Sequence, residues 1–334
     1  MAKVLHTSPR GADASPEERQ ARRERRDQRR LKQREANIGR AEKMHRARLE
    51  RPFPTTARTF KAAASTHVGC SGWFYWHWRG LFYPAAIPTS GWFNHYASRF
   101  KTVELNAPFY SWPTVAAVQA WIQQAGRRQF VYTVKVCELI THVKRFKGVK
   151  TLIHDFGYIA DLLGPHMGCF LFQLPPSFRY TPARLKSILS QLDHRHRNVV
   201  EFRHSSWWNE TVFSAFRATG TIFCSCSGPR LPDELVKTAD DIYVRFHGTK
   251  TWYRHTRLPA MGPALTPATL RSGRPPIRPP GTNTPGNVRI YGIRMSAVKR
   301  YPLAITRMAR ERRMENWANS RIAVIESFTN IAVR

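Results

Sequence analysis

The stretch TVELNAPFYSWPT, residues 102–114, begins as a short buried strand and then breaks into aromatics and prolines. Glu104 and Asn106 are two residues apart, so on a strand they share a face. The same arrangement recurs further along the chain, with Glu201 and Arg203 in NVVEFRH and Arg245 and His247 in DIYVRFHG. Lys135 ends the strand-like run FVYTVKV, Gln173 ends CFLFQ, and Ser71 with Gly72 follows HVGC. Polar groups gathered at strand ends point to a ring around a site, because taking that many away from water without a partner or a ligand is costly.

Short β-branched or aromatic runs, including TIFCSCS, alternate with helical patterns such as TVAAVQAWIQQAG between residues 66 and 255. Seven strand–helix repeats predict a parallel sheet and suit an α/β (β/α)8 TIM barrel better than an open doubly wound sheet. In such a barrel, functional side chains stand at the carboxyl ends of the strands. An eighth strand is hard to find. NVRIYGI is the available candidate, although Arg289 and Gly292 match a barrel interior poorly.

The flanks have a different character, and three segments are expected. Residues 1–60 form a basic helical or disordered extension, 61–255 the barrel core, and 256–334 an atypical Pro- and Arg-rich region that would complete the barrel. In the first segment Ser15, Pro16 and Glu18 make a helix-start signature, and RPFP at 51–54 would stop the helix. Charge recurs on every side of that helix, so no core role is expected of it. Residues 256–334 hold 14 Arg and Lys against three Glu and no Asp, which suggests either a long insertion before a divergent last unit or an altered C-terminus.

The chain of 334 residues has 54 Lys and Arg against 22 Asp and Glu, a formal charge of +32. Polyanions are therefore attracted, and residues 17–51 are the expected contact for RNA or DNA. Five cysteines without paired C-x-x-C spacing, no signal-peptide run and no apolar stretch of membrane-spanning length predict a cytoplasmic protein without a membrane span.

Chemically, Glu104 and Glu201 are candidate general acid and base, with His247 and His142 as proton carriers. Lys135, Arg203 and Arg245 suit a phosphate or carboxylate. Ser71, Trp73, Asn106, Lys144, Gln173 and His204 complete the expected ligand-binding set. No close His-x-His or His-Glu-x-x-His spacing is present, so the cofactor is left unknown; a divalent metal on Glu104, His142, Glu201 and His247 is the weaker option. Cys224-x-Cys226 reads as packing. Trp92, Trp112 and the aromatics of GWFYWHW form either a packing cluster or a stacking platform for sugars or bases.

Six motifs in order, GCSGWFYWHWRGLFYP (69–84), FKTVELNAPFYSWPT (100–114), THVKRFK (141–147), LFQLPPSF (171–178), VVEFRHSSWW (199–208) and YVRFHG (243–248), closely resemble the YecE-like family, the domain of unknown function numbered 72. The resemblance implies a TIM barrel and a relation to sugar isomerases, with a second likeness to the barrel of endonuclease IV. Its characteristic polar positions fall on Ser71, Glu104, Asn106, Lys135, His142, Lys144, Gln173, Glu201, Arg203, His204, Arg245 and His247. The family's Phe-Asn-Asn-Asp-like motif at the last strand has no counterpart after Gly248. Three readings follow: an enzyme, of isomerase or hydrolase class, acting on a small polar, anionic or sugar-like substrate by acid–base chemistry; a nucleic-acid-binding or endonuclease IV-like metal-dependent protein; or an inactive barrel with an aberrant C-terminus.

Overall fold

The computed structural model describes residues 15–50 and 65–247 and the backbone of a strand at 289–294. The expectations placed on residues 256–288 and 295–334, including the altered C-terminus, lie outside the described residues.

After a long helix α1 (Pro16–Glu50), the chain runs β1 (Ser65–Cys70), α2 (Trp92–Arg99), β2 (Thr102–Leu105), α3 (Ala107–Tyr110), α4 (Val115–Ala125) and β3 (Val131–Lys135). It continues through α5 (Lys150–Leu163), β4 (Met167–Gln173), α6 (Pro182–Gln191), β5 (Asn198–Glu201), α7 (Glu210–Thr219), β6 (Ile222–Ser227) and β7 (Ile242–Phe246). Consecutive strands from β1 to β7 pair in parallel and curl into one sheet. The strands read as near-continuous apolar runs because both faces are covered; β2, β5 and β6 are buried at every position. Where β1 meets β2 the backbones approach so closely that a Cβ at Gly69 would collide with the Thr102 carbonyl oxygen.

The backbone of β8 (Arg289–Arg294) pairs in parallel with β7 on one side and with β1 on the other, Gly292 standing opposite Val244 and Val68. The weak sequence match of this segment follows from what such pairing asks of it. A ladder uses N–H and C=O groups, which Gly292 supplies as well as any residue.

Local signals set the helix boundaries. Thr114, Thr181 and Asn209 cap α4, α6 and α7 by accepting from the backbone N–H three residues on. Gly126, Gly164 and Gly220, all at positive φ, end α4, α5 and α7. One expected repeat is missing, because β6 and β7 are joined by residues 228–241 without a helix. That segment fastens itself to β6 instead: Val236 N–H donates to Ser225 Oγ at 2.9 Å, and Thr238 Oγ1 donates to the Thr221 carbonyl at 2.7 Å.

The expectation that α1 takes no part in the core is corrected. The capping box forms as read, with Glu18 N–H donating to Ser15 Oγ at 3.1 Å and Ser15 N–H to Glu18 Oε2 at 2.9 Å. Its C-terminal half, however, docks on the sheet's outer layer through Asn37, Ala41 and Met44, all buried. Asn37 donates to the Tyr110 carbonyl at 3.0 Å and accepts from Trp112 N–H at 2.9 Å. His45 and Arg48 reach Asp155 of α5 at 2.9 Å each, while Arg30 and Arg34 reach Glu138 at 3.1 and 3.3 Å. The charge pattern hid this because most of the contacts are ionic, and a stripe containing only two apolar residues, Ala41 and Met44, gives almost no hydrophobic periodicity. Among the described residues, no helix is long and apolar enough to cross a membrane.

Candidate functional site

The interior of the curled sheet is filled first by a small apolar layer and then, nearer the carboxyl ends, by charge. Cys169, Leu171, Val199, Cys224, Cys226 and Tyr243 form the apolar layer. All five cysteines are buried and unbridged, and Cys224-x-Cys226 sits within this packing. Above it lies a charged cluster built from β2, β5 and β7. Arg245 donates through Nη2 to Glu104 Oε1 at 2.7 Å and through Nη1 to Glu201 Oε2. Glu201 Oε1 accepts from Arg203 Nε and lies 3.2 Å from His247 Nε2. Tyr243 O–H donates to Glu104 Oε2 at 2.9 Å. The two carboxylates and two guanidiniums balance, and Glu104, Glu201, Arg245 and His247 are all at most 1% exposed.

Burial alone would raise the Glu201 pKa, but Arg203, Arg245 and His247 outweigh it and hold this carboxylate well below the usual range. Burial, with Arg203 and Arg245 adding to it, pushes His247 well below the ordinary histidine value, so its ring is neutral. Glu201 therefore keeps its charge and cannot serve as the acid half of the expected pair.

Among the described residues of the cluster, Lys135, at the end of β3, makes no salt bridge of its own, and its charge is left unmatched by the balanced pairs. Its ammonium lies 4.2 Å from the centroid of the Phe109 ring, and the side of that ring also carries His142 in an edge contact at 4.9 Å. Burial, followed by Arg245, pushes the Lys135 pKa from 10.5 down to about 7 against the opposing pull of Glu201 and Glu104. Burial, with Lys135 next, pushes His142 down to about 4. Its Nδ1 lies 2.9 Å from Thr141 Oγ1. At neutral pH an amine close to half-titration and a second neutral imidazole, that of His142, thus pack on the Phe109 ring.

The loop bearing His142 is shaped by strain. Leu139–Val143 form a π-helical turn, and Arg145 and Phe146 follow in left-handed conformations at φ 47° and 58°. Such backbone persists only where the surroundings hold it. Here Phe146 is fully buried and its carbonyl accepts from Ser187 Oγ at 2.7 Å.

The structure does not bring every expected residue to the charge cluster. Ser71 is buried, its carbonyl accepting from Tyr75 O–H and from Asn106 Nδ2 at 3.4 Å, which ties the loops after β1 and β2 together. Gln173 lies beside Glu201 in the register but donates to the neighbouring Leu174 carbonyl at 3.0 Å. Lys144 is exposed and closes the π-helical turn through its backbone. His204 turns away into its own loop, where Nδ1 accepts from Ser206 N–H at 3.2 Å. Trp73 packs edge-on against Phe93 at 5.2 Å, and its carbonyl accepts from Tyr83 O–H. Trp92 and Trp112 are buried packing residues, Trp92 stacked on Tyr83 at 4.6 Å and Trp112 edge-on to Phe156 at 4.9 Å. Among the described residues no three His, Cys, Asp or Glu side chains are placed to hold a metal ion, so Glu104, His142, Glu201 and His247 do not make one ligand set.

Three participants escaped the sequence reading. Tyr243 shares the face of Arg245 and His247 at two-residue spacing, and that signal was available. Phe109 and Glu138 gave none, since an aromatic in a one-turn helix and a carboxylate after a strand acquire meaning only from what packs on them.

A curled parallel sheet with a buried ion cluster at its strand ends defines an α/β protein with a barrel-like polar site. The chain belongs to the family described as "Protein of unknown function DUF72", whose model matches residues 67–269. It is 25% identical over 201 residues to the UPF0759 protein YunF of Bacillus subtilis (strain 168), a span covering 54% of this chain and 70% of that protein. Among solved structures it is similar to a DUF72 family protein from Thermotoga maritima MSB8, with 28% identity, 55% of this chain and 74% of that one covered, and a TM-score of 0.49. A DUF72 family protein from Enterococcus faecalis V583 matches with 17% identity over 55% of this chain and 70% of its own, at a TM-score of 0.46.

Proposed function

We propose that the chain is a (β/α)8 barrel enzyme that binds a small anionic, sugar-like substrate at the strand carboxyl ends and moves protons on it. The barrel unit comprises 61–255 together with β8, whose pairing with both β7 and β1 supports closure. The observation that carries the reading is Lys135: a buried amine with a pKa of about 7, beside two carboxylates and two guanidiniums that already balance each other. Protonated, it leaves the site one positive charge in excess, which an anionic ligand offsets. A group titrating near the working pH is also the most effective proton donor and acceptor.

In this reading Lys135 acts as acid toward a substrate oxygen and neutral His142, on the same Phe109 ring, acts as base. Two titratable groups pushed apart by their surroundings are the usual sign of such a division. Glu104 and Glu201 hold Arg245 and Arg203 in place and set the local charge. Proton transfer between adjacent positions of a hydroxy-carbonyl compound, the isomerase class, needs these parts; hydrolysis would need an activated water as well.

Calorimetric titration with inorganic phosphate, ribose 5-phosphate, glucose 6-phosphate and the uncharged sugars tests it. The expected result is saturable binding of an anionic member, weakened at least tenfold by Lys135→Met and weakening as pH rises through about 7. Absence of anion binding, or binding indifferent to Lys135→Met, would refute the reading.

A further inference from the structure

The family match starts at residue 67 and leaves α1 outside it, yet α1 is tied to the site's rim. Arg30 and Arg34 hold Glu138, three residues beyond Lys135, and Asn37 holds the loop after β2. Farther along, His45 and Arg48 reach Asp155, lower on α5. The helix therefore climbs the outer layer from its C-terminal end toward the mouth. Its first 14 residues, 16–29, continue past the Arg30 contact for about 21 Å at 1.5 Å per residue.

That projecting part is ordered by its own helix and capped by Ser15 and Glu18. Residues 16–29 contain no large apolar side chain and six arginines. At about 100° per residue, Arg19, Arg22, Arg23, Arg26 and Arg30 fall within one sector roughly 100° wide. Asn37, Ala41, Met44 and Arg48, which dock the helix, occupy the same sector. The arginine stripe thus prolongs the docking face past the Arg30 contact at the rim. Arg19, Arg22, Arg23 and Arg26 are exposed.

A second observation lies on the rim itself. Phe74 and Trp76, in the loop after β1, and Tyr110, whose carbonyl Asn37 grips, are 53%, 62% and 58% exposed. Guanidiniums and exposed aromatic rings are together the groups that hold a single strand, phosphates on the cations and bases on the rings, and a strand of several nucleotides spans the helix length between Arg26 and Asn37, which grips Tyr110. A membrane surface would ask for an apolar face on α1, which residues 16–29 lack. We infer that the projecting half of α1 and the rim aromatics form a binding track for single-stranded nucleic acid that runs from the arginine stripe to the barrel rim.

The test uses the full chain, a fluorescent oligouridylate and a duplex DNA, with affinity measured against salt. Arg19, Arg22, Arg23 and Arg26→Gln together should weaken oligouridylate binding at least tenfold at low salt and flatten the logarithmic salt slope by about 0.7 for each lost contact. A charge-matched variant on the other side of the helix, Arg25, Lys32, Lys43 and Arg46→Gln, should change affinity less than threefold. Trp76→Ala and Tyr110→Ala should each weaken binding about tenfold without altering the slope, because stacking releases no counterions. Equal losses from the two quadruple variants would assign binding to net charge and overturn the inference. So would no binding by the unaltered chain, preference for the duplex with both aromatics silent, or equal binding of phosphatidylserine vesicles lost in the stripe variant.

Discussion

Arg245 Nη2 stands 2.7 Å from Glu104 Oε1, joining β7 to β2 through the interior of the sheet where both groups are almost fully buried. An ion pair removed from water offers little net stability when intact, but breaking it on one side leaves a charge stranded. Arg245→Met would strand Glu104 and half of the support of Glu201. The expected loss is about 3–5 kcal/mol in urea unfolding. Replacing Glu104 as well, in Glu104→Gln with Arg245→Met, should recover part of it.

Acid should weaken the fold from the same cluster. The folded pKa of Glu201 is depressed, so its contribution is present above the unfolded value near 4.5 and is lost as pH falls toward the folded value. His247 is also depressed, so below about 6.5 the unfolded chain takes up a proton that the folded one refuses. Stability measured by urea unfolding should therefore decline from about pH 6.5 downward. Glu201→Gln should make the decline below about 4.5 shallower while leaving the upper part in place.

Lys135 acts with the same sign but on the alkaline side of neutrality. Between about 7 and 10.5 the unfolded chain holds one more proton than the folded chain, so this group's contribution rises with pH across that range. Lys135→Met should stabilise the protein at pH 7 by roughly 1–3 kcal/mol, and the gain should shrink as pH approaches 10. A residue that costs stability where a neutral one would not is the mark of a site kept for binding or chemistry.

Docking of α1 rests on Asn37, fully buried and bonded at both ends of its amide. Asn37→Leu keeps the approximate shape but leaves the Trp112 N–H and the Tyr110 carbonyl without that partner, at about 1–3 kcal/mol. Limited trypsin digestion should then cut within the arginine-rich helix much faster than in the unaltered chain, while the barrel fragment resists.

Much of the site could be read from strand periodicity, because Glu104, Glu201, Arg203, Arg245 and His247 sit two apart at the ends of buried runs, and the sheet alternation carries them inward. Tyr243 obeys the same spacing and was readable by the same rule. The rest required packing. Lys135 and His142 share a surface only through Phe109, which comes from an element 26 residues before Lys135. Burial, which sets their pKa values, has no local sequence signature. The docking of α1 was illegible for a related reason: its anchors are charged residues in a segment where every side is charged. The missing helix between β6 and β7 shows the limit of counting repeats, since Thr238 and Ser225 satisfy the backbone there without one.

The most direct measurement follows the Lys135 side chain itself. In protein labelled with carbon-13 at the lysine ε position, the Lys135 signal, identified by its loss in Lys135→Arg, would be titrated by NMR with and without inorganic phosphate. A midpoint near 7 that moves upward when phosphate binds is the expected result. A midpoint near 10.5, or one untouched by phosphate and by every anionic sugar tried, would contradict the assignment of this amine as the proton-transfer and anion-binding group.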